Sequence, residues 1–279
     1  MRIIDFREMY QMCYHLNKLY VMDQKWWTDG DIFHMQESRR TSALFFLKNC
    51  SAVYELPDGS VLHFPCGSLL YLPQGSRYKT TFQDCVPGSV ISQLLEFELV
   101  TEDQEIFAAT DTILTLRNFE KKKCDAFFDE LVSIYTAPVP SYALLQSHVY
   151  QLLNEICHAF HTQHIFSKKY SPIAQGILYL EENIQNELNM PQIAAMCHVS
   201  ETCFRRLFQQ YSGFSPKEYQ TRKRMEHAKK MLQSGSSSVT DIAYSLGFED
   251  PAYFSRVFKK NVGLSPSEYL RYHSAPRQN

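Results

Sequence analysis

Two segments near the C-terminus hold the basic and hydrogen-bonding side chains whose placement is most orderly. The first carries Thr202, Arg205, Arg206 and Gln209, and the second carries Ala252, Ser255, Arg256, Lys259 and Lys260. A guanidinium can pair with two acceptors at once, as with O6 and N7 of guanine, while Ser, Thr and Gln read base edges or hold phosphates. The segments are copies of each other. Phe204-Arg-Arg-Leu-Phe-Gln-Gln-Tyr-Ser-Gly-Phe-Ser-Pro-Lys-Glu-Tyr219 matches Phe254-Ser-Arg-Val-Phe-Lys-Lys-Asn-Val-Gly-Leu-Ser-Pro-Ser-Glu-Tyr269 at eight of sixteen positions. Arg206 and Arg256 are equivalent in this alignment.

Such side chains need rigid elements to present them. In each copy the apolar residues fall at i, i+3 and i+4: Phe204, Leu207 and Phe208, then Phe254, Val257 and Phe258. That spacing predicts a helix with one buried face and the polar set on the other. Ser200 is a natural N-cap for a helix Glu201–Ser212, and Gly213 ends it. A short helix, Met190–Cys197, and a turn precede it. Val239–Leu246, a turn and Pro251–Val262 repeat the arrangement, with one extra residue in the second turn. A helix-turn-helix docks its second helix in a DNA major groove. A helix from Pro216 to Gln233, stopped by Gly235, joins the copies and carries Arg222, Lys223 and Arg224. These face phosphate or simply water. A helix Ile173–Asn183 precedes the first copy.

The front of the chain has a different period. Ala43–Leu47, Ala52–Leu56, Ser60–Phe64, Ser68–Leu72, Tyr78–Phe82 and Val90–Leu99 are short apolar runs separated by Pro- and Gly-containing turns. Strands at this spacing predict a sandwich or small barrel. Tyr10–Leu19 reads as a short helix. Two amphipathic helices follow, one through Phe127, Leu131 and Ile134, the other through Leu145, Val149, Leu152, Ile156 and Phe160. The second stripe suits either a dimer seam or packing on the strands. His161–Pro172 reads as a polar linker, with His158, His161 and His164 at a solvated helix end.

Residues 172–272 resemble the DNA-binding domain of the AraC/XylS family of bacterial transcription regulators. Asp241-Ile-Ala-Tyr-Ser-Leu-Gly-Phe-Glu-Asp-Pro-Ala-Tyr-Phe-Ser-Arg-Val-Phe-Lys-Lys-Asn-Val-Gly-Leu-Ser-Pro-Ser-Glu-Tyr269 carries that family's signature. The resemblance implies two helix-turn-helix units on a long rigid helix, with both recognition helices facing one side of the DNA. It places base reading on Thr202, Arg205 and Arg206, and on Ala252, Ser255 and Arg256. Ala252 departs from this pattern, because it offers no side-chain hydrogen bond. The front half resembles the family's cupin-like ligand-binding domain at Cys66-Gly-Ser-Leu-Leu-Tyr-Leu-Pro-Gln-Gly75.

Charge and composition fit that division. The 279 residues carry a net charge of -2, split between 15 Lys+Arg and 20 Asp+Glu over residues 1–169 and 13 and 10 over residues 170–279. Eight Cys without a C-x-x-C pair read as reduced thiols. The opening residues, Met1–Glu8, are too charged for a signal peptide. No apolar run approaches the ~18 residues of a membrane span. A cytoplasmic protein is expected.

The sequence therefore predicts an α+β chain. A cupin-like antiparallel barrel or jelly roll would occupy residues 1–120, a helical dimerisation and relay segment 121–165, and the double helix-turn-helix domain 166–279. Promoter DNA, RNA polymerase, a small effector and a second copy of the chain are the expected partners. Arg222 joins the DNA-contact set named above. Trp26, Trp27, His34, Arg39, His63 and Arg77 are the effector-contact candidates, and adjacent tryptophans suit the C–H face of a sugar. The rivals are an effector-free activator and a cupin metalloenzyme fused to a DNA-targeting domain. A cupin metal site needs two His at i, i+2 with a carboxylate and a further His, and three or four N/O ligands must converge. Only His63 lies in the central strand series, so no catalytic residue, metal or cofactor is expected.

Overall fold

The computed structural model describes residues 2–10, 12–116, 119–234 and 237–274. The chain divides into two compact units, Met1–Thr162 and Gln163–Asn279. In the first unit, β1 (Arg2–Ile3) and α1 (Phe6–Met9) precede β2 (Tyr14–Gln24), β3 (Ile32–Met35), β4 (Ser42–Phe46), β5 (Ser51–Glu55) and β6 (Val61–Phe64). Then come β7 (Leu69–Leu72), β8 (Tyr78–Gln83), β9 (Ser92–Thr101), β10 (Ile106–Ala108) and β11 (Leu114–Thr115). Helices α2 (Lys121–Tyr135) and α3 (Tyr142–Ile165) follow. The architecture is α+β, with the strands ahead of the helices.

Among the described residues the strands form a seven-stranded sheet, β1-β10-β9-β4-β7-β11 with β2 also on β9, and a four-stranded sheet, β3-β8-β5-β6. All pairs are antiparallel except β1 with β10. Strands β4 and β7 are buried at every residue, because both faces of the large sheet are covered. Ala43, Phe45, Leu70, Leu72 and Leu94 pack toward Ala52, Tyr54, Phe64, Tyr78 and Phe82 of the small sheet. Their neighbours Leu44, Phe46, Leu69, Tyr71 and Leu95 point the other way, into a core shared with Phe128 and Leu131 of α2 and Val149, Leu153 and Ile156 of α3. This is the alternation of a strand, used on two faces at once.

Two expectations change here, and one pair of alternatives is decided. Tyr10–Leu19 is mostly strand, since β2 runs from Tyr14 along nearly the whole of β9. Its register shifts between Asn17 and Tyr20, where Lys18 has a φ of 51°. The bulge changes the apolar spacing of Tyr14, Leu16, Leu19 and Val21 from a pure alternation to one that imitates a helix. The α3 stripe is spent on the sheet, with Leu145, Val149, Leu152 and Ile156 all buried in that core, so it is not an open dimer seam. The expected linker holds the division between the two units but is not simply a polar loop. α3 continues to Ile165, a turn of 3-10 helix spans Ser171–Ile173, and Ile165 and Tyr170 are buried in the helical unit. His161 is buried and stacks on Tyr10 at 4.9 Å, so it is not at a solvated end.

The helical unit contains α4 (Ala174–Glu182), α5 (Met190–Met196), α6 (Glu201–Ser212), α7 (Pro216–Ser234), α8 (Val239–Ser245), α9 (Pro251–Val262) and α10 (Pro266–Ser274). Gly235, the expected stop of α7, lies outside the described residues. Side-chain caps fix most of the helix starts. Asn189 accepts from Gln192 N, Ser200 from Cys203 N, Ser238 from Asp241 N, and Asp250 from Ala252 N. The duplicated Ser-Pro-x-Glu has a physical role. Ser215 and Glu218 exchange bonds at the start of α7, as Ser265 and Glu268 do at the start of α10. Each is a capping box with Pro in the first turn. Two cores result. Phe204 and Phe208 pack with Ile177, Ile193 and Tyr219, while Phe254 and Phe258 pack with Met225, Leu232, Ile242 and Tyr269. The N-terminal half of α7 thus belongs to one core and its C-terminal half to the other. Among the described residues no helix is long and apolar enough to cross a membrane.

Candidate nucleic-acid interface

Each recognition helix keeps its aromatic face inside and its polar face open. On α6, Phe204 and Phe208 are fully buried, whereas Thr202, Arg205, Arg206 and Gln209 are exposed. Arg205 reaches Glu201 one turn back at 3.4 Å. Arg206 makes no hydrogen bond or ion pair among the described residues, so its fork is available. On α9, Ala252, Arg256, Lys259 and Lys260 are exposed. Arg256 lies 3.9 Å from Asp250 and 5.9 Å from the Tyr253 ring. Ser255 is half-buried, and its hydroxyl donates to Pro251 O at 2.9 Å within its own helix. That donor is already used.

An open cleft of about 900 Å³ lies between α7 and α9. Lys217 and Arg222 line one wall, and Tyr253, Arg256 and Lys260 line the other. Arg222 is exposed and packs its guanidinium 4.1 Å from the Phe214 ring centroid. The neighbouring basic residues are placed differently. Lys223 is tied to Glu226 at 3.1 Å, and Arg224 points its fork at four backbone carbonyls. Sequence reasoning missed Tyr253, which is exposed on the first turn of α9 beside Ala252. Its signal was an aromatic residue on the polar face, where an apolar surface can meet a thymine methyl.

The two turns before these helices follow one path. His198 N bonds Ala195 O and Val199 N bonds Ala194 O in the first, and Gly247 N bonds Tyr244 O and Phe248 N bonds Ala243 O in the second. His198 and Gly247 occupy the same place and share a positive φ, 53° and 77°. Residues 193–272 match the family described as a helix-turn-helix domain. This part of the chain is a helix-turn-helix domain, similar to those of HTH-type transcriptional regulators. Over 97 residues the chain is 37% identical to an uncharacterized HTH-type transcriptional regulator, YijO, of Escherichia coli K12, covering 34% of each chain. It is 31% identical over 135 residues to the lactose operon transcription activator of Staphylococcus xylosus, covering 47% of this chain and 48% of that one. The chain thus spans a third to a half of the length of these curated relatives. Both are named as transcription regulators and neither as an enzyme. A structure of an AraC-type transcriptional regulator from Chromobacterium violaceum is 28% identical, covering 38% of this chain and 95% of that one with a TM-score of 0.35.

A second concave site lies in the strand unit. A cavity of about 340 Å³ opens between the sheets, lined by Met22, Phe33, Phe45, Tyr54, Leu94 and other apolar side chains. Trp26, Trp27 and Arg39 line it too. Trp26 is half exposed, and Trp27 stacks on Phe82 at 4.5 Å while its Nε1 donates to Gln24 Oε1 at 2.8 Å. Arg39 is buried, donating to the Tyr78 hydroxyl at 2.9 Å and pairing with Glu96. His34, His63 and Arg77 are exposed and are not on the cavity lining. His34 and His63 sit at outward positions of β3 and β6, and Arg77 bonds Ser38 at 3.1 Å. Among the described residues no group of three His, Cys, Asp or Glu converges as a metal site would require. The eight cysteines are free, and burial pushes the Cys50 and Cys157 thiols up to about 12.

Proposed function

We propose that the chain is a sequence-specific transcription regulator whose two helix-turn-helix units bind consecutive major-groove segments of promoter DNA. The observation that carries this reading is the pair of exposed arginines, Arg206 and Arg256, at equivalent positions of two capped helices fixed to a single α7. Arg206, Arg205, Thr202 and Gln209 read bases. Arg256 shares its fork with Asp250, and Ala252 has no donor, so the second unit mainly grips phosphate through Lys259, Lys260 and Arg222. α7 has 19 residues, a rise of roughly 29 Å at ~1.5 Å each. Major grooves recur on one face of B-DNA every ~34 Å. One chain then covers about 17–20 bp without palindromy.

The test uses a site selected from random duplexes by the full chain. Inserting 5 bp between its halves turns one half to the opposite face, and affinity falls to that of a single half. Unchanged affinity would mean that one unit alone binds DNA. Regulation enters through the strand unit, whose cavity is of a size that suits a small effector. Gln24 and Arg39 are already paired with protein partners, which leaves the buried Thr80 hydroxyl as the polar group without a hydrogen bond among the described residues on an otherwise apolar wall. The lining therefore favours a metabolite with an apolar ring or chain over a free polyol. A thermal shift of the full chain against a metabolite panel tests this, and Leu94→Trp should abolish any shift by filling the cavity. Dimerisation and contact with RNA polymerase complete the reading, and sedimentation with and without DNA tests the first of these.

A further inference from the structure

Arg224 joins the two helix-turn-helix units at a point away from the α7 axis. Its Nε donates to Ile184 O at 2.7 Å, and its Nη2 to Gln185 O at 3.1 Å and Asn186 O at 3.0 Å. These carbonyls follow α4 in the first unit. Its Nη1 reaches Gly247 O at 3.4 Å, in the turn of the second unit, and the guanidinium lies 5.2 Å from the Phe248 ring centroid. One helical turn earlier, Gln220 donates to the same Asn186 O at 2.8 Å. The backbones meet beside this fork. A Cβ on Gly247 would stand 1.9 Å from Gln185 O.

The contact lies at the edge of the cores. Each unit has its own apolar cluster, and Arg224 touches the second at the Phe248 ring while its fork is spent on backbone carbonyls. Two bodies joined only by one helix can roll about it by repacking side chains at either end. A second attachment off the axis removes that freedom. Guanidinium suits the task, with several donors in a planar fork.

We propose that Arg224 is a positioning residue that sets the angle between the two recognition helices, and so sets the spacing of DNA segments that one chain accepts. The proposal rests on the reading that both units touch DNA. The seam then works as a spacing gauge, discriminating against sites whose halves are one base pair too near or too far.

The experiment measures full-chain affinity for the selected duplex with zero, one, two or five base pairs added between the halves, and for each half alone. The wild-type chain should lose about tenfold for one added pair, the scale of one mismatched base pair. Arg224→Ala should bind the native spacing more weakly yet lose less than about threefold on the one-pair insertion, with half-site affinities unchanged. Arg224→Lys, which keeps the charge but not the fork, should fall between them. A spacing profile in Arg224→Ala identical to wild type overturns the proposal. So does an equal loss on every duplex and half-site, which would mark a residue that merely holds the fold. Should Arg224→Ala not fold, Gln220→Met must broaden the profile, and an unchanged profile overturns the proposal. Wild-type indifference to the five-pair insertion would instead sink the two-unit reading itself.

Discussion

The two helix-turn-helix units share a backbone path but not their side-chain duties. In the first, Arg206 is free and Thr202 and Gln209 offer further donors and acceptors. In the second, Arg256 lies near Asp250, Ser255 bonds its own helix, and Ala252 offers nothing. The turns differ in the same sense. The first accepts His198 in the left-handed region, whereas the second holds Gly247 against the carbonyl of Gln185. A duplicated sequence has thus been divided: one copy keeps its polar face open, and the other also faces inward to dock. Phe254 and Phe258 keep the second copy folded while its turn makes that contact.

The comparison can be broken most severely in the cores. Phe258→Ala should cost about 3–5 kcal/mol, as large aromatic truncations do. The second unit should lose hydrogen-exchange protection while Phe204–Phe208 keep theirs, and the footprint should shrink to one half. Phe208→Ala should do the reverse. Loss of protection in both units from either change would show that the cores are not separate.

The turns give the next largest contrast. Gly247→Ala combines about 1–2 kcal/mol for a left-handed residue with about 1–3 for overpacking. His198→Gly removes the first penalty at a comparable backbone-entropy cost, so its stability should stay within about 1 kcal/mol of wild type. Thermal denaturation of the full chain measures both, and equal effects would contradict the asymmetry. On DNA, Arg206→Ala should cost about 1–3 kcal/mol on the selected site and relax preference at one or two base pairs. Arg256→Ala should weaken all sequences alike and flatten the salt slope by about one unit. Matching losses of specificity would make the units equal readers.

The smallest effect is one the units should share. Ser215 and Ser265 hydroxyl and backbone donors hold the Glu218 and Glu268 carboxyls below their ordinary value of 4.5. A depressed folded value gives stability that is complete above pH 4.5 and fades as pH falls through the folded value. Acid titration by circular dichroism should show α7 and α10 weakening together. In the double variant Glu218→Gln and Glu268→Gln this component should disappear.

Much of the helical domain was legible because its signals are local. Ser200, Gly213 and the Phe-x-x-x-Phe spacing announce a helix wherever they occur, and α6 and α9 have the expected limits. β2 was misread because its bulge at Lys18 breaks the period on which the reading depends. Arg224 looked like one more phosphate contact beside Arg222. Only the fold brings the carbonyls of Ile184, Gln185 and Asn186 to it, and no spacing within α7 encodes their arrival. The same holds for the cavity. Adjacent tryptophans flagged Trp26 and Trp27, but whether His34, Arg39, His63 or Arg77 points inward depends on strand pairing across the sheets.

The large sheet of the first unit separates two interiors by the thickness of one pleat. Phe45, Leu72 and Leu94 face the cavity, and Leu44, Tyr71 and Leu95, each one peptide away, face the layer of α2 and α3. A sheet loaded on both sides behaves as a diaphragm. Whatever presses on the cavity wall displaces strands whose reverse side is packed against helices, and the close-packed interior leaves little slack to absorb the movement. An occupant of the cavity is therefore expected to be felt first along α2 and α3, as slowed or quickened hydrogen exchange there.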